Sequence, residues 1–376
     1  MQIAIAGAGP AGLYAAYLIR RARPDITVRL IEQNPPDATF GFGVVFSDQA
    51  LSFLREDDPE THDAIVPHMQ RWNDIIVNHA GESIRLDGIG FAAIGRLQLL
   101  QLLQARAASA GVQPEWNRQL ADLDELQEAD LIIGADGLNS LVRQSDPRAF
   151  GESLDYLENR FVWYGVDREF DALTQTFCHH GGGFFNAHHY RYAPGKSTFI
   201  VECDAPTFDR AGFTAMSEAE SKARCEAVFA DQLQGTPLTG NRSIWRQFPK
   251  LWNENWYAGN RVLVGDALHT AHFSIGSGTR LALEDVIALV KALEAHDFSL
   301  ADALPAYQAA RKPVVEKIVR AANASAGWYE NFASHMAEDP WRFAHAYIQR
   351  SGRITPERLT TIAPEFAAGL AARGLV

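Results

Sequence analysis

Glycines at positions 7, 9 and 12 in GAGPAG, with Glu32 and Gln33 further along, have the types and spacing that hold a pyrophosphate and a ribose. Gly7 allows a tight turn, Gly9 lets phosphate oxygens approach the backbone, and Gly12 lets a helix pack close to a strand. Glu32 stands where a carboxylate accepts hydrogen bonds from ribose hydroxyls. Two further runs mix acids with glycines after apolar stretches: GADGLNSLVR at 134–143 and GDALHTAHFSIGSGT at 265–279. Asp-Gly after a strand can be only a turn. A glycine-rich loop opening a helix, however, aims backbone N–H groups and the positive end of the helix dipole at an anion.

The elements that must position these residues follow from periodicity. Residues 2–6 form a short buried strand, 13–23 a helix, and 27–31 a second strand, which puts GAGPAG in a dinucleotide-binding context. Apolar strands at 130–134 and 262–264 precede the other two runs, and 281–293 carries helical spacing. In FGFGVVF at 40–46 the glycines, Gly43 among them, suit a backbone passing close to a flat ring, and equally a plain turn. Residues 48–68 read as helix and then loop; 75–77 and 83–86 read as strands crossing into another lobe. Arg96 opens a helix over 97–108, against the dipole, so it is either a solvated residue or faces a bound phosphate or ring.

From 160 to 256 the texture becomes β-rich, with strands at 160–167, 184–192 and 197–204, a hairpin turn at 193–196 and a helix near 217–232. Helical runs continue after residue 304. The expected fold class is therefore α/β: a Rossmann-like nucleotide-binding domain (1–68, 91–158 and 254–325), an inserted β-rich substrate domain (69–90 and 159–253), and a helical C-terminal segment (326–376).

Bulk composition narrows the function. A net charge of −12 argues against general nucleic-acid or membrane-surface binding, so an anionic ligand needs a local basic patch. The three cysteines show no metal or disulfide spacing. The paired histidines at 179–180 and 188–189 lack ligand-spaced partners, so no metal is expected. With a strand beginning at Gln2 and no apolar run of membrane length, the expectation is a cytoplasmic protein, monomeric or homodimeric.

The three runs, in this order, resemble the fingerprints of the class A FAD-dependent aromatic hydroxylases, the family of para-hydroxybenzoate hydroxylase, over residues 1–325. The resemblance implies FAD, NADH or NADPH as reductant, and insertion of one atom of O2 into an aromatic substrate through a flavin C4a-hydroperoxide. There is no second GxGxxG for the nicotinamide, as is usual in this family. HFSIGSGT lacks the family's early proline, and with GFGVVF, FVWYG and STFIVEC it is similar to a smaller branch. That branch holds the salicyloyl-CoA 5-hydroxylases, the 2-aminobenzoyl-CoA monooxygenases and a violacein-pathway hydroxylase acting on an indole. No flavin-reductase domain is seen, so a stand-alone monooxygenase is expected.

By this resemblance Arg96, Asp136 and Asp266 contact FAD, while Gly276, Gly278 and Thr279 present backbone N–H groups to the flavin pyrimidine. A helix N-terminus there stabilises negative charge on the reduced ring. His188 and Tyr164, on strands of the inserted sheet, match positions of the violacein-pathway enzyme and are candidates for hydrogen bonding to a phenol or aniline; each also reads as an ordinary structural residue. His272, inside the third run, either approaches the chemistry or braces the loop. The implied reaction is salicyloyl-CoA 5-hydroxylation to gentisyl-CoA, with an indole or a free aromatic acid as the alternative substrate. For a CoA thioester, the receivers of its charges would be arginines at 342–358, or Arg191 and Lys196. A halogenase would carry WxWxIP, which residues 245–249 do not match, and a non-catalytic FAD-binding protein is the remaining alternative.

Overall fold

The structure, a computed structural model, describes residues 1–47 and 51–375. Residues 48–50, part of the expected helix and loop, lie outside the described residues; beyond them stand helices Ser52–Asp57 and Pro59–Ile65.

Short apolar strands build the first sheet. Gln2–Ala6, Thr27–Ile31, Leu131–Gly134 and Arg261–Leu263 run parallel, and Tyr257–Ala258 adds an antiparallel edge. Parallel strands covered on both faces read as continuous apolar runs, which is why no alternation marks them in the sequence. Ala6 aligns with Gly134, and Gly134 with Leu263, so all three fingerprint runs leave the sheet at the same edge. That edge, at the carboxyl ends of the strands, is where ligands bind in such sheets. Helix Pro10–Ala22 packs against helices Arg96–Ser109 and Gly278–Ala295.

The second sheet is mostly antiparallel. Its path is Leu238–Thr239, Glu152–Val166, Lys196–Cys203, Gly183–Ala193, Leu173–His180, Ile75–His79 and Glu82–Leu86, with Arg246–Asn253 also pairing on Glu152–Val166. The long strand starts at Glu152, earlier than the reading from 160, because Arg246–Asn253 pairs along its first half. Trp163, Ile200 and His188 stand opposite one another across three strands, and Tyr164, Phe199 and His189 form the next row. Successive side chains point to opposite faces, so these two rows look in opposite directions.

A third sheet, Gly43–Ser47, Phe91–Gly95 and Gln70–Trp72, joins the other two. The Gly43 N–H donates to Thr198 Oγ1 at 2.9 Å, and the Tyr190 hydroxyl donates to the Gly43 carbonyl at 3.1 Å. Helix Leu300–Glu330 spans both larger sheets. Near its start Tyr307 Oη donates to the Leu263 carbonyl; at its end the Glu330 carboxylate accepts from the Glu158 and Asn159 N–H groups.

Candidate active site

The glycines of the first run have different physical causes. A Cβ on Gly12 would lie 1.9 Å from the Gly7 carbonyl oxygen, and Gly7 has a φ of +92° with Ala135 against it. The fold itself forbids side chains at both. A Cβ on Gly9 would meet no atom within 4 Å, and Gly278 is the same. Glycine at these two positions answers to something other than the protein's own packing. Many helices here carry a side-chain cap, from Asp58, Ser140, Asp146, Asp204, Ser217, Asp339 or Thr355. Helices Pro10–Ala22, Arg96–Ser109 and Gly278–Ala295 begin with none, as do Ser52–Asp57, Ala230–Leu233, Leu300–Glu330 and Pro364–Ala371, so a missing cap does not by itself mark a ligand. The first and third start side by side: a Cβ on Gly265 would lie 3.5 Å from the Ala11 Cβ and 3.1 Å from the Ala282 Cβ.

Acidic residues complete this edge. Glu32 ties the first run to the end of its strand, accepting from the Ala8 N–H at 2.8 Å and from the Asn34 backbone and side chain. Asp136 Oδ2 accepts from the Leu141 N–H at 2.7 Å, while its buried Oδ1 has no hydrogen-bond partner. Burial raises this carboxyl above the usual range, against the pull of those hydrogen bonds. An orphaned buried oxygen is costly unless a ligand donor meets it. Asp266 has an exposed side chain set among protein atoms that thin the water around it, which raises its carboxyl; the Arg96 charge pulls the other way. Among the described residues no carboxylate comes within ion-pair distance of the half-buried Arg96 guanidinium. Glycines that the protein's own packing does not require, an orphaned acid oxygen and an arginine with no carboxylate partner among the described residues fit an anionic dinucleotide such as FAD.

A network that local sequence patterns did not reveal sets the Gly265–Asp266 turn. Buried Asp285 accepts from the Gly265 N–H (3.2 Å) and from Arg311 Nε (2.9 Å), and lies 2.9 Å from His269 Nε2. Burial pushes the Asp285 carboxyl up, but His269 and Arg311 outweigh it and hold it below the usual range. Buried Arg143 donates to the Ala267 carbonyl at 3.0 Å and to Glu152 at 2.6 Å, linking the second run to the third.

The other half of the site lies on the face of the large sheet that carries His188. Half-buried Phe161, Phe248 and Phe273 form an aromatic cluster there, and Trp163, two residues along the strand from Phe161, packs its ring against Gly41. Phe273 is 5.0 Å from Phe161 and 6.0 Å from Phe248, ring centre to ring centre. Buried His188 sits 5.2 Å from the Phe273 ring and 4.9 Å from that of Tyr329. Burial, helped by the Arg350 charge, pushes its imidazole down to about 3. His272 is 4.8 Å from Phe248, and its Nδ1 is 2.8 Å from Ser274 Oγ. Burial takes it down to about 4 against the opposing pull of Glu202. Both rings are therefore neutral at pH 7.

Not every candidate comes to this place. Tyr164 faces away, packed with Cys225 and Phe229 on the back of the sheet; its hydroxyl is 3.4 Å from Ser221 Oγ, and burial raises it out of the working range. One residue of strand parity separates it from Trp163 on the side of the aromatic cluster. Gly43 spends its N–H and C=O on Thr198 and Tyr190, and a Cβ there would strike Tyr192 at 2.6 Å, so sheet packing accounts for this glycine. Gln33 is exposed beside Glu32. Gly276 adopts a φ of +61° and lies against Val45, with Thr279 three residues on in the first turn of the helix. Among the described residues no helix is long and apolar enough to cross a membrane.

The family described as FAD binding domain matches residues 1–322. The chain is 42% identical over 363 residues to a salicyloyl-CoA 5-hydroxylase of a Streptomyces sp, covering 93% of this chain and 70% of that one. It is 36% identical over 363 residues to the 3-hydroxy-4-methyl-anthranilyl-(aryl-carrier protein) 5-monooxygenase of Streptosporangium sibiricum, covering 96% and 97%. A mutant of 2-methyl-3-hydroxypyridine-5-carboxylic acid oxygenase shares the fold, with a TM-score of 0.73 at 21% identity over 95% of this chain and 97% of that one. The chain belongs to the FAD binding domain family and is an FAD-dependent aromatic monooxygenase.

Proposed function

We propose that the enzyme hydroxylates the ring of an aryl thioester bearing a hydroxyl or amino group beside the acyl carbon, salicyloyl-CoA to gentisyl-CoA being the best-supported case. The observation that carries this reading is the aromatic cluster of Phe161, Phe248 and Phe273 against neutral, buried His188, with Phe273 belonging to the loop at 272–279. Two relatives named for 5-hydroxylation of thioester-borne aromatic acids support it. Overall, aryl–H, O2, NAD(P)H and a proton give aryl–OH, NAD(P)+ and water.

FAD, when bound, would carry electrons from the nicotinamide to O2 and deliver one atom of that O2 to the ring. Gly7, Gly9 and Gly12 receive its pyrophosphate at the start of helix Pro10–Ala22, with Glu32 at the ribose. Arg96, Asp136 and Asp266 hold its remaining polar groups, and Gly276, Gly278 and Thr279 turn N–H groups to its ring system. Phe161, Phe248 and Phe273, packed against one another, offer the substrate ring an apolar wall that keeps water from it. His188 accepts a hydrogen bond from the ring hydroxyl or amino group, drawing its proton away and making the carbon para to it more nucleophilic. His272 braces the loop through Ser274 and Ser325.

The test is NADH and NADPH oxidation by the FAD-loaded protein with salicyloyl-CoA, 2-aminobenzoyl-CoA, free salicylate and an indole compared. Stimulation by the thioesters with a hydroxylated product supports the reading; stimulation only by a free acid or the indole would replace it.

A further inference from the structure

Of the three rings in the aromatic cluster, Phe161 and Phe248 stand on paired strands, while Phe273 stands on the tight turn Phe273–Ile275. Strand pairing fixes the first two. The third depends on what holds Ser274, the next residue. The Ser274 hydroxyl lies 2.8 Å from His272 Nδ1 and 2.7 Å from the Ser325 hydroxyl of helix Leu300–Glu330. Its carbonyl accepts from Arg350 Nη2 at 2.9 Å. Arg350 closes helix Pro340–Gln349 in the C-terminal segment, and its Nη1 donates to the Tyr347 carbonyl at 2.7 Å. The guanidinium lies 3.9 Å from the Tyr347 ring centre and 5.7 Å from that of Tyr329. Its Nε is buried without a hydrogen-bond partner. A half-buried cation with an unmet donor costs stability, so solvation alone would not select this placement.

We infer that Arg350 is a positioning residue for hydroxylation: with Ser325, it clamps Ser274 so that Phe273 stays against Phe161 and Phe248 while the backbone from Gly276 onward stays at the flavin. Ser274 is one residue from Phe273 and two from Gly276, so a peptide held there holds both neighbours. Helix Leu300–Glu330 carries the clamp back to the large sheet. Tyr329, one turn beyond Ser325, lies 4.9 Å from His188 and donates its hydroxyl to Gln175 Oε1 at 3.0 Å. The Tyr329 carbonyl accepts from Asn159 Nδ2 at 2.9 Å, and Asn159 shares a strand with Phe161. The residues that hold Ser274 are therefore tied to the strand bearing the facing ring, 5.0 Å from Phe273. After burial, the Arg350 charge also helps push the His188 and His272 imidazoles down, so the side chain that holds the loop favours neutral rings beside it. A misplacement of about 1 Å at a reacting centre can cost on the order of 100-fold in rate, which is why a remote clamp bears on catalysis. This assignment rests on the placement of the 272–279 loop at the flavin proposed above.

The test compares wild type with Arg350→Met, which keeps the apolar stem but cannot donate, and with Ser325→Ala, which removes one hydroxyl from the same clamp. Amide hydrogen exchange on the apo-protein reads the loop before any flavin is present. The visible spectrum of bound FAD reads the loop's contact with the ring. Hydroxylated product formed per NAD(P)H consumed, with salicyloyl-CoA, reads the positioning. In Arg350→Met, exchange at 273–278 should quicken about tenfold while strand Gln2–Ala6 exchanges as in wild type. The flavin spectrum should shift, and product per reductant should fall about threefold or more, through kcat with KM little changed. Ser325→Ala should move the same readouts in the same direction by less. Loop exchange equal to wild type in Arg350→Met overturns the clamp, and so does faster loop exchange with an unchanged flavin spectrum and unchanged coupling. A rise in exchange spread over the whole chain in both variants would make Arg350 a residue of general stability and overturns it as well. If wild type hydroxylates no thioester, the substrate reading falls by itself, while exchange and the flavin spectrum still decide the clamp.

Discussion

His188 Nε2 and Glu202 Oε2 lie 3.5 Å apart in the buried layer beneath the aromatic cluster, and neither atom has a hydrogen-bond partner. Glu202 Oε1 accepts from Asn159 Nδ2 at 2.8 Å, and burial raises the carboxyl. Glu202 stands beside the imidazole without a hydrogen bond to it, and the other ring nitrogen, Nδ1, is the one the proposed function gives to the substrate. His188→Gln should lower kcat about 100-fold, a usual size for losing a positioned proton acceptor. Tyr164→Phe, on the opposite face, should keep near-wild-type kcat and cost no more than about 1 kcal/mol of stability. Steady-state kinetics of the two variants decides; equal losses would contradict the sidedness of the sheet.

Gly9 and Gly12 separate what the cofactor demands from what the fold demands. Gly9→Ala adds a Cβ that meets no protein atom, so the apo-protein should lose at most about 1 kcal/mol, as a weaker helix N-cap. FAD affinity should nevertheless fall at least tenfold. Gly12→Ala drives a Cβ into the Gly7 carbonyl and should destabilise the apo-protein by several kcal/mol. Thermal unfolding with and without FAD, alongside flavin titration, checks both.

Arg311 acts on the site through Asp285 and never needs to touch FAD. Arg311→Met leaves the Asp285 carboxylate buried with only His269 and the Gly265 N–H, and should cost about 3–5 kcal/mol. The Gly265–Asp266 turn loosens with it, so retention of FAD on gel filtration should fall as well. Full retention in a stably folded variant would detach Asp285 from the cofactor site.

His189 offers a pH test away from the chemistry. Stacked on Phe199 on the back of the sheet, it is pushed down by burial to about 3. The unfolded chain, with an ordinary imidazole near 6.5, therefore binds more protons than the fold below that pH. The stability associated with this neutral ring is fully present above about pH 6.5 and is lost as pH falls towards 3. His189→Asn should lose about 2 kcal/mol less than wild type between pH 7.5 and 5. Urea unfolding at both values measures this difference; parallel losses would contradict it.

The three fingerprint runs were legible because their work is local: tight turns, helix starts and glycines set by spacing of a few residues. Asp285, His269 and Arg311 were not, since the triad exists only once helix Leu300–Glu330 lies against helix Gly278–Ala295. Tyr164 shows a different limit. Period-two alternation says that Trp163 and Tyr164 face opposite ways, but only strand register and the helices covering each face say which one shares the face of the aromatic cluster. Gly43 looked like a ring-facing glycine because a glycine required by Tyr192 leaves the same mark in a sequence as one required by a cofactor.

The most direct measurement is turnover of salicyloyl-CoA by the FAD-loaded enzyme with NAD(P)H under 18O2, followed by mass spectrometry of the thioester. The account predicts gentisyl-CoA carrying one 18O on the ring, formed in proportion to the reductant consumed. Reductant oxidised entirely to hydrogen peroxide, with the thioester recovered unchanged, would contradict it.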